Sequence, residues 1–274
     1  MALIIRPQWM QQPQGAVELD SGNPLAQRIT HCIPFNGSWS EIISRAPLTL
    51  GAAGSGFVDA RGRSLLSSGI SGGAATVPLV LQGVEKMSLS FSVYWDTNAN
   101  NDKIAMEYSP TINLNQGFFV DINSSVGGVV RAAASGVTSN SCGKTFTRPT
   151  AAAWHHYAVL FDMSLSGAVS SAYVDGVSQA LTVSGGSIPG TMSNNATLYI
   201  FSRNTTSLLG SGRMQNLLIR VNYLMSEVEV RQEYQNPWQI YRPPPRRWVP
   251  GAGVTFQPAW ARRANTILGA GAPL

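Results

Sequence analysis

The chain has 274 residues, of which 44% are hydrophobic and only 12% are charged, and it contains 27 glycines and 16 prolines. Charged residues are about half as frequent as in an ordinary soluble domain, where they make up roughly 25%. Short apolar runs separated by Gly, Pro, Ser, Thr and Asn indicate many short strands joined by tight turns, and they argue against helical bundles and coiled coils.

The net charge of +5 is distributed unevenly along the chain. Residues 1–237 contain 14 basic and 14 acidic groups, because no Asp or Glu follows Pro237 and five of the 19 basic residues do. These five are Arg242, Arg246, Arg247, Arg262 and Arg263. The body is therefore neutral and the tail is a polycation, which suits nucleic acid, an anionic surface, an acidic groove on a protein, or simple solvation.

Neither the cysteines nor the apolar runs point to secretion or to a membrane. Cys32 and Cys142 are too few for a disulfide framework or a four-ligand zinc site, so we expect two buried free thiols. The N-terminal sequence MALIIRPQWM has only four apolar residues between Met1 and Arg6 and does not match a signal peptide. No apolar run approaches the roughly 20 residues that span a bilayer. We expect synthesis in a cytosol and no membrane partner.

In chain order, residues 1–22 contain Pro7, Pro13 and Gly15 and are predicted to form an irregular N-terminal arm. The globular body is predicted to begin at residue 23, with a first strand over 29–35 that ends at an Asn-Gly turn. The clearest pattern covers 87–95, where apolar residues alternate with serines and predict a strand with one face in a core. Further strands are predicted at 77–81, 103–108, 117–122, 127–133, 155–162, 169–175, 197–203 and 213–222. The glycine runs 51–56 and 69–73 are interpreted as flexible loops.

One helix is predicted near the end of the body. Ser226 and Glu229 match a capping box, in which each side chain bonds the backbone N–H of the other residue. Val230 and Tyr234 share one face of the helix, and the Asn-Pro step at 236–237 ends it. Residues 238–274 are rich in Pro, Arg and aromatic side chains without amphipathic periodicity. They are predicted to form an extended C-terminal arm, so the body covers residues 23–237.

Four segments then occur in a recognisable order. They are WHHYAVLFD at 154–162, AYVDGV at 172–177, GRMQNLLI at 212–219, and the capped helix. This succession resembles the laminin-G-like, concanavalin A-like lectin/glucanase superfamily over residues 23–236. The resemblance implies an all-β, two-sheet antiparallel jelly-roll sandwich with one short C-terminal helix. In it, Trp154 would plug the sandwich edge and Asp175-Gly176 would form a type I′ hairpin turn. The predicted core includes Leu89, Phe91, Val93, Val159, Phe161, Tyr173, Leu217 and Ile219.

A second resemblance concerns the two ends of the body. The Asn-Pro-Leu at 23–25, the NPWQIY at 236–241 and the Trp-Val-Pro at 248–250 are similar to bacteriophage and prophage virion proteins that carry this sandwich. This implies a structural protein of the virion, made in the host cytoplasm. It would be a head decoration or cement subunit, a head fibre, or a tail-associated subunit. It would attach through its termini to other virion proteins and form homo-oligomers.

The predicted contacts with capsid or tail subunits lie in the C-terminal arm. Aromatic and large apolar side chains dominate binding hot spots, and arginines orient on partner carboxylates. The residues are Trp238, Ile240, Tyr241, Arg242, Arg246, Arg247, Trp248 and Trp260. Nucleic acid is the competing target for the arginines. The alternative function is a carbohydrate-binding module that recognises host-surface glycans through Tyr94, Trp95, Asn98, Asn100 and Asn101, although Trp95 also fits the core.

No motif predicts catalysis, and we expect the protein not to be an enzyme. The only Glu-x-Glu, at 227–229, opens the helix and serves its cap rather than a glycosidase carboxylate pair. His155 and His156 are adjacent on a strand, so they face opposite sides and cannot chelate one ion. No cofactor is expected. Calcium stays open, although relatives often have Asp where this chain has Gln215. The scattered aspartates are Asp96, Asp102, Asp121, Asp162 and Asp175.

Overall fold

The computed structural model describes residues 12–13, 15–96, 103–109, 117–122, 128–136, 142–192 and 195–244. Within these ranges the chain forms short strands and one helix, α1 (Glu227–Gln235). The strands are β1 (Glu18–Leu19), β2 (His31–Ile33), β3 (Thr49–Leu50), β4 (Gly54–Asp59), β5 (Gly62–Ser68), β6 (Ala75–Leu79), β7 (Lys86–Trp95), β8 (Ile104–Tyr108), β9 (Phe118–Asp121), β10 (Val129–Ala134), β11 (Cys142–Thr147), β12 (Trp154–Asp162), β13 (Val169–Val174), β14 (Val177–Ser178), β15 (Thr182–Gly186), β16 (Ala196–Ile200), β17 (Ser211–Val221) and β18 (Tyr241–Arg242).

Two large antiparallel sheets form a jelly-roll sandwich, as predicted. The front sheet has the order β14-β13-β12-β7-β17-β5-β4, and β2 pairs with the second half of β17. The back sheet has the order β15-β11-β10-β9-β8-β16-β6-β3. The chain divides into two compact units, Met1–Pro243 and Pro244–Leu274, and the sandwich belongs to the first.

The core lies between the sheets, and β7 runs through its centre. Leu89, Phe91 and Val93 are fully buried, and the Phe91 ring stacks on Tyr157 with their centroids 5.4 Å apart. The predicted core is confirmed except for Tyr173. Ala172 pairs with Val159 and faces the interior, so strand alternation turns Tyr173 to the opposite side. Trp95 belongs to the core, and Cys32 and Cys142 are buried free thiols, as expected.

The serines that alternate with the apolar residues of β7 lie on the outer face of the front sheet, yet they too are buried. Helix α1 covers part of this face, with Met225 and Val230 packed on Leu160 and Tyr173. The predicted capping box is present. Tyr234, expected on the same face as Val230, is 41% exposed, so Val230 supplies the apolar anchor.

The hairpin that joins β13 and β14 has the predicted turn. Asp175 and Gly176 have φ values of +52° and +76°, as the two central residues of a type I′ turn require. The glycine run at 51–56 differs from the expected loop, because its second half begins β4. A Cβ on Gly54 would overlap the carbonyl oxygen of Ala74, so glycine here allows close approach of two backbones rather than flexibility.

Both chain ends of the body pack more closely than predicted. In the expected N-terminal arm, β1 pairs with β18, and Gln12 is buried against β5. At the other end, Trp238 and Ile240 are 5% and 0% exposed, and Ile240 packs on Leu25 and Leu218. Burial of these apolar side chains holds residues 238–242 on the sandwich, so the predicted C-terminal arm is wrong for these five residues.

Candidate functional site

A pocket of about 360 Å³ opens beside β4, the edge strand of the front sheet. Its size lies within the roughly 300–1,000 Å³ range of small-molecule sites, which combine apolar walls with a few polar groups. The residues that line it are Phe35, Gly37, Trp39, Leu50, Gly56, Phe57, Val58, Arg63 and Ser64.

The Trp39 ring forms the apolar part of the pocket wall. Phe57 of β4 also borders the pocket, but its ring lies on the opposite face of the strand, beside Arg213. The Trp39 indole lies directly over Gly56, where a Cβ would come within 3.1 Å of its Cζ2 atom. The absent side chain therefore lets the ring rest against the β4 backbone. Trp39 also packs on the core, and its carbonyl accepts a 3.1 Å bond from the Leu48 N–H. The ring is thus held in place without a ligand.

Arg63 supplies the charged group of the pocket, and its backbone is fixed by glutamine side chains. The Gln12 amide donates to the Arg63 carbonyl at 2.7 Å and accepts from the Arg63 N–H. The Gln215 amide donates to the same carbonyl at 2.7 Å. Gly37, with a φ of +99°, leaves the space that the Arg63 guanidinium occupies, since a Cβ there would overlap Nη1.

The position of Gln215 gives a physical reason for the departure noted in the sequence. Gln215 is buried, and its amide N–H bonds the strand that carries Arg63. An aspartate carboxylate has no N–H to donate, so it could not make this contact. Within the described ranges, no three His, Cys, Asp or Glu side chains are grouped so that they could hold a metal ion.

An aromatic–arginine cluster lies on the outer face of the front sheet, across β4 from Trp39. The Arg213 guanidinium lies 3.8 Å from the Tyr94 ring centroid and 4.8 Å from that of Phe57. It also forms a 2.7 Å ion pair with Asp59. Arg61 lies 5.2 Å from the ring centroid of Trp154. Such cation–π contacts order the rings and the guanidinium groups together.

Arg61 is a partly desolvated cation in this cluster. Burial lowers its pKa, while the carboxylates of Asp175 and Asp59 oppose that effect. Asp175 itself bonds His155, with 2.7 Å between its Oδ2 and the histidine Nδ1. His155 and His156 point to opposite sides, as expected, and the ring of His156 is buried beside Glu233 at 3.3 Å.

Of the five residues predicted for glycan binding, the structure describes two, and these lie in different surroundings. Tyr94 lies in the aromatic–arginine cluster and Trp95 in the core, whereas Asn98, Asn100 and Asn101 lie outside the described residues. Trp154, expected to plug the sandwich edge, is half-buried on the outer face beside Tyr94. Sequence reasoning missed Trp39 and Arg63. The only signal for Arg63 was weak alternation in 54–68, which the glycines obscured, and Trp39 lies outside that segment.

The residues predicted to bind partners divide into two groups. Trp238, Ile240 and Tyr241 pack on the body, and the Tyr241 hydroxyl lies 3.2 Å from the Cys32 sulfur. Arg242 is exposed and lies 3.8 Å from the Glu18 carboxylate. The remaining four lie outside the described residues: Arg246, Arg247, Trp248 and Trp260. Trp238 and Ile240, two of the predicted partner-binding residues, are therefore already buried by contacts within the chain.

Comparison with protein families gives one match. A family model described as the concanavalin A-like lectin/glucanases superfamily matches residues 68–226. No curated protein matches the chain by sequence. Within the described residues, no helix is long and apolar enough to cross a membrane.

Solved structures share this fold at low identity. The binding domain of Paraclostridial Mosquitocidal Protein 1 is 10% identical with a TM-score of 0.61, over 77% of this chain and 52% of that chain. The receptor binding domain of botulinum neurotoxin D is 14% identical with a TM-score of 0.60, over 78% and 54%. Trypanosoma rangeli sialidase is 14% identical with a TM-score of 0.53, over 75% of this chain and 32% of that chain. The chain thus spans about half the length of the toxin domains that it matches.

Proposed function

Because the chain belongs to the concanavalin A-like lectin/glucanase superfamily, we propose that its sandwich is a binding module that recognises a saccharide in the pocket beside β4. The pocket itself carries the proposal, since it combines the ring of Trp39 with the guanidinium of Arg63. The C–H faces of sugar rings are apolar and pack on aromatic rings, while their hydroxyl groups accept hydrogen bonds from a guanidinium.

The fold alone does not confer this function, because one fold hosts many activities. The likeness to domains named as binding or receptor-binding domains is compatible with the proposal. We propose binding without catalysis. The described residues that line the pocket include no Asp, Glu, His or Cys, whereas glycoside hydrolysis ordinarily uses a pair of carboxylates at the scissile bond.

The test is a glycan-binding screen with the full chain and a Trp39→Ala variant. Loss of a central aromatic contact typically costs a hot-spot energy of about 2 kcal/mol or more, so binding should weaken at least about tenfold. Tyr199→Ala on the back sheet is the matched control and should bind like the wild type. Retained binding in Trp39→Ala, or no glycan bound by the wild type, would contradict the proposal.

A second proposal is that the protein belongs to a bacteriophage virion and attaches to it through its C-terminal segment. The charge distribution supports this proposal, because five arginines and no Asp or Glu follow Pro237, whereas the rest of the chain is neutral. We propose that the segment after Pro243 attaches the sandwich to other subunits of a bacteriophage particle. The glycan-binding module would then be displayed on the virion. Arg246, Arg247, Trp248 and Trp260 supply the charged and aromatic anchors.

Truncation tests this attachment. The chain should be cut after Pro243 rather than after Asn236, since Trp238 and Ile240 belong to the folded body. We expect the shortened protein to melt like the full chain yet to be missing from purified particles, as measured by mass spectrometry. Incorporation of the shortened protein at full occupancy would show that the segment is not the attachment site.

A further inference from the structure

Arg63 lies where β5 loses its contact with the neighbouring strand β17. The pairing of these two strands covers Leu65–Ser68 and stops two residues short of Arg63. In β17 a bulge follows at once, between Gln215 and Leu218. The Arg63 N–H and C=O are therefore left without a backbone partner in β17, and backbone groups of this kind require another partner.

Side-chain amides take the place of the missing strand contact. The Gln12 amide donates to the Arg63 carbonyl at 2.7 Å, and its oxygen accepts from the Arg63 N–H. This is a pair of bonds like the one that residues of antiparallel strands exchange. The Gln215 amide donates to the same carbonyl at 2.7 Å. Gly62 leaves room for Gln12, because a Cβ on Gly62 would overlap the Gln12 amide oxygen.

The body holds Gln12 in this position. Gln12 is 5% exposed, although it comes from the predicted N-terminal arm. The buried Asn36 side chain donates from Nδ2 to the carbonyls of Pro13 and Gly15, at 3.2 Å and 2.7 Å. The residues on either side of Asn36 in the chain both line the pocket. The backbone that follows Gln12 is therefore bonded to the same segment that builds the pocket wall.

We infer that Gln12 is a positioning residue of the saccharide pocket, which fixes the backbone of Arg63 and so the direction in which its guanidinium leaves the sheet. The inference rests on the proposed function and adds to it a residue outside the pocket wall. An arginine side chain loses rotamer freedom when it binds a ligand. Anchoring the backbone from which it extends reduces the number of orientations that binding must select among.

The first measurement is the affinity of the full chain for the glycan that binds most tightly in the screen. Gln12→Ala should weaken binding about fivefold, the scale of one net hydrogen bond. Gln12→Glu keeps the oxygen that accepts from the Arg63 N–H but has no N–H to donate, so it should lie in between. Gln27→Ala is the matched control. The Gln27 amide also donates to a backbone carbonyl, that of Ser21 at 3.1 Å, and this variant should bind like the wild type.

Two further measurements separate positioning of Arg63 from general support of the fold. In an Arg63→Ala background, adding Gln12→Ala should change the affinity by less than about twofold, because the effect runs through Arg63. The second is the NMR order parameter of the Arg63 Nε–H in the ligand-free protein, with the resonance assigned by its loss in Arg63→Lys. This order parameter should fall in Gln12→Ala and stay unchanged in Gln27→Ala.

The outcomes distinguish this inference from the proposed function. Wild-type affinity in Gln12→Ala, or the same fivefold loss in the Arg63→Ala background, would overturn the positioning role and leave glycan binding standing. If the wild type binds no glycan, the proposed function fails. The order of the Arg63 Nε–H is measured without a ligand, so an unchanged value in Gln12→Ala would overturn the positioning role in either case.

Discussion

Glu233 lies at the centre of a buried ionic group between α1 and the front sheet. Its carboxylate accepts a hydrogen bond from Arg220 and lies 3.3 Å from Nε2 of His156. Arg220 is also buried, with Ser90 and the Leu25 carbonyl at 3.4 Å. Burial alone would raise the pKa of Glu233, but the Arg220 charge and the His156 contact outweigh it and hold the pKa at about 2.

Glu233→Gln should therefore destabilise the sandwich strongly. Removing one partner of a buried ion pair leaves the other charge uncompensated, which costs about 3–5 kcal/mol. The measurement is the free energy of unfolding in urea at neutral pH. Glu227→Gln is the matched control, because its pair with Arg231 is exposed and is worth less than about 1 kcal/mol. Equal stability of the two variants would contradict the assigned role of Glu233.

The same pair predicts a pH dependence. The folded pKa of Glu233, about 2, lies below its ordinary value of 4.5, so the unfolded chain binds the proton first as pH falls. Its contribution is fully present above pH 4.5 and is lost as pH falls towards 2. At about 1.4 kcal/mol per pH unit, the wild type should lose about 3 kcal/mol more than Glu233→Gln across this window. If the free energies of unfolding of the two proteins fall in parallel between pH 4.5 and 2, this pH dependence is wrong.

At the scale of elements, β7 is the strand on which the core depends. Phe91 is fully buried and stacks on Tyr157 of the neighbouring β12. Phe91→Ala should destabilise the protein by about 3–5 kcal/mol through lost burial and the cavity left behind. Val80→Ala, at a side chain that is 69% exposed, is the control and should change stability by less than about 0.5 kcal/mol. Wild-type melting of Phe91→Ala would show that the strand is not central.

Sequence patterns predicted the elements whose signals are local. The alternation at 87–95 identified β7, and the capping box identified α1. The β4–β5 hairpin was missed because Gly54 and Gly56 carry no side chain and interrupt the alternation. Glycine is required at these two positions by residues elsewhere in the chain. A Cβ on Gly54 would fill space taken by Ala74, and a Cβ on Gly56 would fill space taken by Trp39. Close approaches of this kind cannot be deduced from local composition.

The candidate site was beyond sequence reasoning for a related reason. Trp39 and Arg63 belong to no recognisable motif, and the folding of the β4–β5 hairpin beside the segment at 35–39 brings them together. Gln215 was noted as a departure from the family pattern, but only its bond to Arg63 explains what the amide does. The buried state of Trp238 and Ile240 was equally hidden, since hot-spot residues and core residues are of the same types.

In the whole molecule, recognition and attachment are assigned to different parts of the chain. The proposed saccharide pocket lies beside β4 in the body, which has no net charge by sequence. The polycationic segment after Pro243 is assigned the contact with neighbouring subunits. The two proposals are independent, because the truncation leaves the pocket intact and the pocket variants leave the segment intact.

Ligand binding beside Trp39 can be followed most directly by fluorine NMR of the full chain labelled with 5-fluorotryptophan. The protein has seven tryptophans, and Trp39→Phe assigns the resonance of interest. During titration with a glycan identified in the binding screen, the Trp39 resonance should move and saturate, while that of Trp95, buried in the core, should stay in place. A stationary Trp39 resonance, with saturable shifts at Trp248 or Trp260 instead, would contradict the assignment of the pocket as the binding site.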